Sequence, residues 1–178
     1  MEDKPIKIVI PIEPRTKKNS QQIIMIKGRP IIVPSKQYKA FEKACKEFIP
    51  TIDKPIDYTV NVQCKYYMPT RRKCDLTNLL EATDDVLVHY GVLEDDDYSV
   101  IYSHDGSRVY YDKENPRTEI LIVPISQEDL CSRYLDDNYS KVYEEFCECY
   151  PEKITSDFSL EDLDYGELED FIFMHMIN

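Results

Sequence analysis

The stretch that decides the fold is residues 74–97, which read CDLTNLLEATDDVLVHYGVLEDDD. Its first part repeats apolar residues at helical spacing, and Gly91 ends that repeat before an acidic loop. Three cations stand directly before it, at Arg71, Arg72 and Lys73. Carboxylates gathered beside cations are typical of a divalent metal held against phosphate, so this stretch predicts such a site.

The predicted helix over residues 75–90 has two different faces when its residues are placed at about 100° per residue. One arc is apolar, and it contains Leu76, Leu79, Leu80, Thr83, Val86, Leu87 and Tyr90. The other side is polar, with Asn78, Glu81 and Asp85 together and Asp75 adjacent. Carboxylate oxygens are the ligands that Mg²⁺ and Mn²⁺ prefer. If the chain turns back after Gly91, residues 94–97 bring further carboxylates to the same site.

A simpler interpretation applies to each of these acidic residues alone. Asp75 with Asn78 three positions later fits a helix N-cap, and the outer face of an amphipathic helix is ordinarily charged and solvated. The run of four acidic residues, Glu94 to Asp97, is harder to explain in this way because like charges repel one another. A bound metal ion is the economical counter-ion for such a run.

Composition and charge limit the class of protein. A chain of 178 residues suits one domain with an appendage. No apolar run is long enough to span a membrane and no secretory signal is recognisable, so we expect a cytoplasmic protein. The six cysteines lack a CxxC pair, which argues for reduced thiols and against a zinc site.

The net charge of −12 is unevenly distributed along the chain. Residues 1–125 hold 19 Lys and Arg against 19 Asp and Glu, whereas residues 126–178 hold 3 against 15. The acidity therefore belongs to the C-terminal part, and a neutral body with local basic clusters is compatible with binding nucleic acid. We predict two parts, a body over residues 1–125 and an acidic helical extension over residues 126–178.

The order of predicted elements indicates an α+β fold with two helices packed on one mixed sheet. The predicted elements of the body are a strand over 6–12, a hairpin over 23–33 with Gly28 in its turn, a helix over 36–48 capped by Ser35, a strand over 57–67, the helix over 75–90 and strands over 100–104 and 118–123. In the extension, helices are predicted over 127–150 and 159–177, with a capping box at Ser159 and Asp162.

At these residues the chain resembles the RusA-type Holliday junction resolvases, which are small homodimeric Mg²⁺-dependent endonucleases of phages and prophages. That family has an Asp-x-Asp-Asn motif opening a helix, a later helical Asp, then Gly and an Asp-Asp pair. Here the matching positions are Asp75 to Asn78, Asp85, Gly91, and Asp95 with Asp96. Pro14 to Ser20, Pro34 to Tyr38 and Arg108 to Glu119 also resemble the phage branch, so the likeness covers residues 5–125. Two positions depart from the family: Thr77 replaces the second aspartate and Glu81 replaces a catalytic lysine.

The resemblance implies a structure-specific endodeoxyribonuclease that resolves Holliday junctions in DNA recombination and repair, using Mg²⁺ with Mn²⁺ as a substitute. Its implied catalytic residues are Asp75, Asp96 and Glu81, and its implied metal ligands are Asp75, Asp96, Asp95 and Glu81. The DNA-binding residues would be Lys17, Lys18, Asn19, Arg71, Arg72 and Lys73. The expected partners are branched DNA and a second copy of the chain, with no membrane.

Alternatives remain open on two points. The Thr77 and Glu81 changes also fit a catalytically inactive protein that binds junctions without cutting them. The acidic extension fits a solubilising or partner-docking helix pair, and it also fits a DNA-mimicking segment that covers the basic surface.

Overall fold

The computed structural model describes residues 4–17, 21–172 and 174–175. The chain forms two compact units, residues 1–124 and residues 125–178. In the described ranges, no helix has both the length and the apolar character needed to cross a bilayer.

The first unit is built on a mixed five-stranded sheet. Its strands are β1 (Ile6–Ile10), β4 (Val60–Met68), β5 (Ile101–Ser103), β6 (Arg108–Tyr111) and β7 (Arg117–Pro124). The antiparallel order is β1-β7-β4, and the other side of β4 pairs in parallel with β5 near Val60 and with β6 near Met68. The sheet therefore contains both kinds of pairing, as predicted from the order of elements.

A separate two-stranded sheet forms the predicted hairpin, from β2 (Gln21–Ile26) and β3 (Arg29–Pro34). Lys27 and Gly28 have φ of 50° and 77° in its turn. A two-residue hairpin turn of this kind needs positive φ at both central positions, and glycine accepts it without a steric cost.

Two helices cover one face of the mixed sheet. Helix α1 (Lys36–Cys45) begins at Ser35, whose side chain accepts a hydrogen bond from the Tyr38 N–H. Helix α2 (Leu76–His89) begins at Asp75 and ends before Gly91, which has φ of 71°. The α+β class with two helices in this unit is confirmed.

The core of the first unit lies between these helices and the sheet. Alternate residues of β4 are buried, at Val60, Val62, Cys64 and Tyr66. The Tyr66 hydroxyl lies 2.8 Å from the Thr83 hydroxyl of α2, which fixes the helix on this face. Leu79, Val86 and Leu87 of α2 contribute to the same core.

The predictions differ from the structure in several details. Strand β1 ends at Ile10 instead of residue 12, and β4 begins at Val60 instead of residue 57. The strand predicted over 100–104 is shorter, β5 covering Ile101–Ser103, and α1 ends before the predicted Phe48. Strand β6 was not predicted, because all four of its side chains are exposed and its sequence has no apolar alternation. Pairing with β4, rather than burial, makes this segment a strand.

The second unit has its own core. Helix α3 (Gln127–Cys149) bends at Asn138, whose φ is −132°, and helix α4 spans Tyr165–Ile172. Single 3₁₀ turns lie at Pro151–Lys153 and Leu160–Asp162. The predicted capping box at Ser159 and Asp162 is present, but it opens the second 3₁₀ turn, so the helix predicted from 159 begins instead at Tyr165. Buried side chains of this unit include Val142, Phe146, Leu160, Phe171 and Ile172.

Candidate functional site

Asp75 stands at the exposed N-terminus of α2 as its N-cap. Its Oδ1 accepts hydrogen bonds from the Thr77 N–H at 3.2 Å and the Thr77 hydroxyl at 2.8 Å. Its Oδ2 accepts one from the Asn78 side-chain amide at 3.2 Å. Three donors therefore hold the carboxylate in one orientation. Two of them occupy both lone-pair positions of Oδ1, and Oδ2 keeps one lone pair for a further partner.

Thr77 has a definite local role in this arrangement. It stands where the resemblance would place a second aspartate, and its hydroxyl donates to the Asp75 carboxylate. A threonine hydroxyl adds no negative charge, so the N-terminus of α2 offers one orientated carboxylate where the family pattern has two.

The middle of α2 carries a second polar group of residues. The Lys17 ammonium lies 2.7 Å from Oδ2 of Asp85. Its pKa is raised above the ordinary value, mainly by that hydrogen bond and further by the charges of Asp85 and Glu81, although partial burial opposes the shift. Lys17, predicted as a DNA contact, is thus engaged with the carboxylates of α2 and partly offsets their charge.

Asp84 is buried on α2 and forms a pair with His104. The Asp84 Oδ2 lies 3.2 Å from His104 Nε2, and His104 Nδ1 lies 2.8 Å from the Val62 carbonyl oxygen. A carbonyl oxygen only accepts hydrogen bonds, so His104 Nδ1 carries a proton. The hydrogen bond between His104 Nε2 and Asp84 Oδ2 contains a second proton. Burial raises the pKa of Asp84, against the hydrogen bond and charge of His104; the charge of Asp96 also raises it.

The sequence analysis did not select Asp84. On the helical wheel Asp84 lies only about 40° beyond Leu80, at the edge of the apolar arc. This position is the feature of the sequence that could have indicated its burial. Nothing in the sequence joins His104 to Asp84, which stands 20 positions earlier. Among the described side chains, Oδ1 of Asp84 is a buried oxygen without a hydrogen-bond partner.

The acidic loop after Gly91 turns back towards this part of α2. The Glu94 N–H donates to the Ile56 carbonyl and the Val60 N–H to the Val100 carbonyl, which place the loop at the Val60 end of β4. Partial burial raises the pKa of Asp96, as do its contact with Asp95 and the charges of Asp85 and Asp95. Asp97 accepts from the Ser99 N–H at 2.8 Å and has a lowered pKa, so it closes the turn.

Within one chain the predicted ligands form two separate groups. Asp75 is ten residues before Asp85, which corresponds to about 15 Å along the helix axis. Asp95 and Asp96 lie on the Asp85 side, and Glu81 lies between the groups. Consistent with this separation, no cluster of three or more His, Cys, Asp or Glu that could hold a metal occurs in the described part of the chain.

The side chains still suit a hard divalent cation in their chemistry. Each group offers carboxylate oxygens, and Mg²⁺ in proteins takes only one or two carboxylates and fills its other positions with water and phosphate. Burial is the main cause of the raised pKa of Asp96, and the nearby charges of Asp85 and Asp95 raise it further; these neighbouring carboxylates favour a cation at the loop. These donors therefore fit Mg²⁺ or Mn²⁺.

The predicted DNA contacts that the structure describes, Lys17 and the run Arg71 to Lys73, lie in two loops. Arg71, Arg72 and Lys73 are exposed in the segment that leads into Asp75. The Arg71 guanidinium lies 4.4 Å from the centre of the Tyr111 ring, which orients it at the edge of the sheet. Lys18 and Asn19 lie outside the described residues.

Comparison with known proteins agrees with this arrangement. A family model described as endodeoxyribonuclease RusA matches residues 11–123, which cover most of the first unit. No match was found among curated proteins. The matched segment contains Asp75, Glu81, Asp95 and Asp96, together with the basic loop before α2. The chain therefore belongs to the RusA family of endodeoxyribonucleases, which act on branched DNA junctions.

Proposed function

We propose that this protein is an active, Mg²⁺-dependent endonuclease that resolves four-way DNA junctions, with Mn²⁺ as a substitute metal. The observation that carries the proposal is Asp75: an exposed carboxylate, oriented by Thr77 and Asn78 at a helix N-terminus. Three exposed cations precede it directly in the chain. This arrangement supports the proposal, because a carboxylate suited to a metal ion stands two positions after cations suited to phosphate.

Each group of residues has its own part in the proposed reaction. Asp75, Asp96, Asp95 and Glu81 would hold the ion, which when bound supplies an activated water and neutralises charge on the scissile phosphate. Arg71, Arg72 and Lys73 hold the DNA backbone by charge and do not read base edges. Such contacts suit an enzyme that recognises the shape of a junction.

The separation of Asp75 from Asp96 has a consequence for this proposal. Asp85 lies about 15 Å along the helix axis from Asp75, and Asp96 lies on the Asp85 side, so we infer that Asp75 and Asp96 of one chain do not share an ion. In the proposed homodimer, the acidic loop of one copy would meet the N-terminus of α2 in the other. Each active site would then combine Asp75 of one chain with Asp95 and Asp96 of its partner, and two sites related by a two-fold axis would cut two strands.

A complementation experiment tests this arrangement. The Asp75→Asn and Asp96→Asn chains are co-expressed with different affinity tags, and the mixed dimer is purified and incubated with a labelled four-way junction and Mg²⁺. A site shared between chains leaves the mixed dimer one intact site, so it should nick single strands although both parent homodimers are inactive. A doubly tagged wild-type dimer and a doubly tagged Asp75→Asn dimer are the controls. An inactive mixed dimer beside an active tagged wild type would refute the shared site.

The inactive junction-binding protein remains a second candidate because of one observation. Thr77 supplies a hydroxyl and no carboxylate, so the N-terminus of α2 has fewer metal-binding oxygens than the family pattern. Glu81 on the polar face of α2 and Lys17, which contacts that face through Asp85, are the proposed counterparts of the missing aspartate and lysine. Incubation of the wild-type protein with a junction separates the candidates: paired nicks favour the enzyme, and binding without nicks favours the inactive protein.

A further inference from the structure

The face of the mixed sheet opposite α1 and α2 carries a row of three stacked side chains. Arg117 of β7, Tyr67 of β4 and Tyr110 of β6 are partners in the strand register. Tyr66 points towards α2, so its neighbour Tyr67 points to the opposite face. Strand β6 is parallel to β4, and Tyr110 therefore shares the face of Tyr67.

Arg117, at the β7 end of the row, is held in place by ion pairs and stacks on Tyr67. The Arg117 guanidinium lies 3.5 Å from the centre of the Tyr67 ring. Arg117 is held by Glu119 at 2.7 Å and by Asp112 at 3.0 Å. The rings of Tyr67 and Tyr110 are stacked, with centres 5.2 Å apart and planes 22° from parallel.

The outer end of the row is open. In the described sheet β6 pairs with β4 and has no strand on its other side. The Tyr110 side chain is 40% exposed, and the ring contact described for it is with Tyr67, on the inner side. A pre-ordered aromatic stack that ends at a sheet edge leaves one ring face available to a further flat group.

Cations lie beside this open position. Lys65 and Arg108 are register partners two residues before Tyr67 and Tyr110, on the same face and about 7 Å away along the strands. Neither forms an ion pair within the described residues, whereas Arg117 is neutralised by its two carboxylates. The position therefore combines an aromatic face with two cations that form no ion pair within the described residues, although Glu119, which binds Arg117, is the register partner of Lys65 on β7. This combination suits a base with its phosphate.

From this arrangement we infer that Tyr110 stacks on an unpaired base at the branch point of the DNA substrate, while Arg108 and Lys65 hold the adjoining phosphates. The inference rests on the proposed function for its substrate, branched DNA. A stacking contact recognises an unpaired base of any identity, because every base has an aromatic face. It therefore adds to the backbone contacts a way to distinguish a branch from a continuous duplex.

The test measures binding without any divalent metal, so it does not depend on cleavage. The probe is a junction that carries 2-aminopurine at an unpaired position of the branch, and the control DNA is a blunt duplex of equal length. We expect Tyr110→Leu to abolish the quenching of 2-aminopurine and to weaken junction binding about tenfold. Tyr110→Phe should behave as the wild type, because it keeps the ring. Arg108→Gln should lower the slope of log affinity against log salt by about one unit.

Tyr102→Leu is the matched control variant, because Tyr102 is an exposed tyrosine of the same sheet, 45% exposed on β5. It should change neither quenching nor affinity. The inference is overturned if Tyr110→Leu quenches 2-aminopurine and binds the junction as the wild type does. It is also overturned if Tyr110→Leu loses as much affinity for the blunt duplex as for the junction. It is also overturned if sedimentation velocity shows that Tyr110→Leu dissociates a dimer, since the face would then join two copies of the chain. If the wild-type protein quenches 2-aminopurine but never nicks the junction in Mg²⁺, the proposed nuclease activity is contradicted and the stacking inference is supported.

Discussion

Replacement of Asp75 separates its observed role as a helix cap from its proposed role as a metal ligand. Asparagine is as good an N-cap as aspartate, whereas alanine offers no side-chain acceptor. We expect Asp75→Asn to lower the free energy of unfolding by about 0.5 kcal/mol, from the lost interaction of its charge with the helix dipole. Asp75→Ala should lower it by about 1.5 kcal/mol, because the cap is lost as well.

The loss of cleavage activity should not follow the order of the stability losses, in which Asp75→Ala exceeds Asp75→Asn. A carboxylate ligand that helps to stabilise charge in the transition state contributes several kcal/mol, and about 3 kcal/mol corresponds to a rate loss of more than 100-fold. Both variants lack the charge, so both should lose nicking to the same extent. Junction binding without metal should change little, since the proposed phosphate contacts come from Arg71, Arg72 and Lys73.

The assay combines urea unfolding followed by circular dichroism with single-turnover nicking of an end-labelled four-way junction in Mg²⁺. Ser35→Ala is the matched control, because it removes the N-cap of α1 in the same unit, where the Ser35 side chain accepts from the Tyr38 N–H at 3.1 Å. It should cost about 1 kcal/mol of stability and leave nicking intact. If nicking instead follows stability, with Asp75→Asn active and Asp75→Ala impaired, Asp75 is a cap alone and the assignment is refuted.

Three further predictions concern other parts of the chain. Burial alone would lower the pKa of His104, but the hydrogen bond and charge of Asp84 outweigh burial and raise the pKa above its ordinary value of 6.5. The His104–Asp84 pair therefore contributes its full stabilisation below pH 6.5. This stabilisation is lost as the pH rises through the raised pKa of His104. Urea unfolding across this range should show wild-type stability falling relative to His104→Gln, and a rise would contradict the pairing. Glu81→Gln should reduce nicking about as much as Asp96→Asn in the single-turnover assay, and full activity would exclude Glu81 as a ligand. A chain ending at Pro124 should unfold cooperatively in urea, because the core of the first unit comes from residues 8–122; if its junction affinity at low salt does not exceed that of the full chain, the DNA-mimic hypothesis for the extension fails.

Local sequence predicted the features that depend on neighbouring residues. Ser35 and Asp75 were predicted as N-caps, Gly28 as the turn of the hairpin and Gly91 as the end of α2, and all four have these roles. Each depends on backbone angles or hydrogen bonds within a few positions, which side-chain chemistry sets directly. The capping box of Ser159 was also predicted correctly. The helix predicted to follow it directly was wrong, because a cap fixes the first turn and not the length of the helix that follows.

The sequence by itself determined the α+β class, the amphipathic helix and the resemblance carried by residues 75–96. Only the tertiary structure decided which distant side chains meet. Lys17 and Asp85 are 68 positions apart, and Tyr110 reaches Tyr67 only through the register of an unpredicted edge strand. Asp84 gained its partner in the same way, when strand pairing brought His104 beneath α2. Spacing along a chain fixes the direction in which a side chain points, but sheet topology and register fix what it finds there, and no local pattern encodes either.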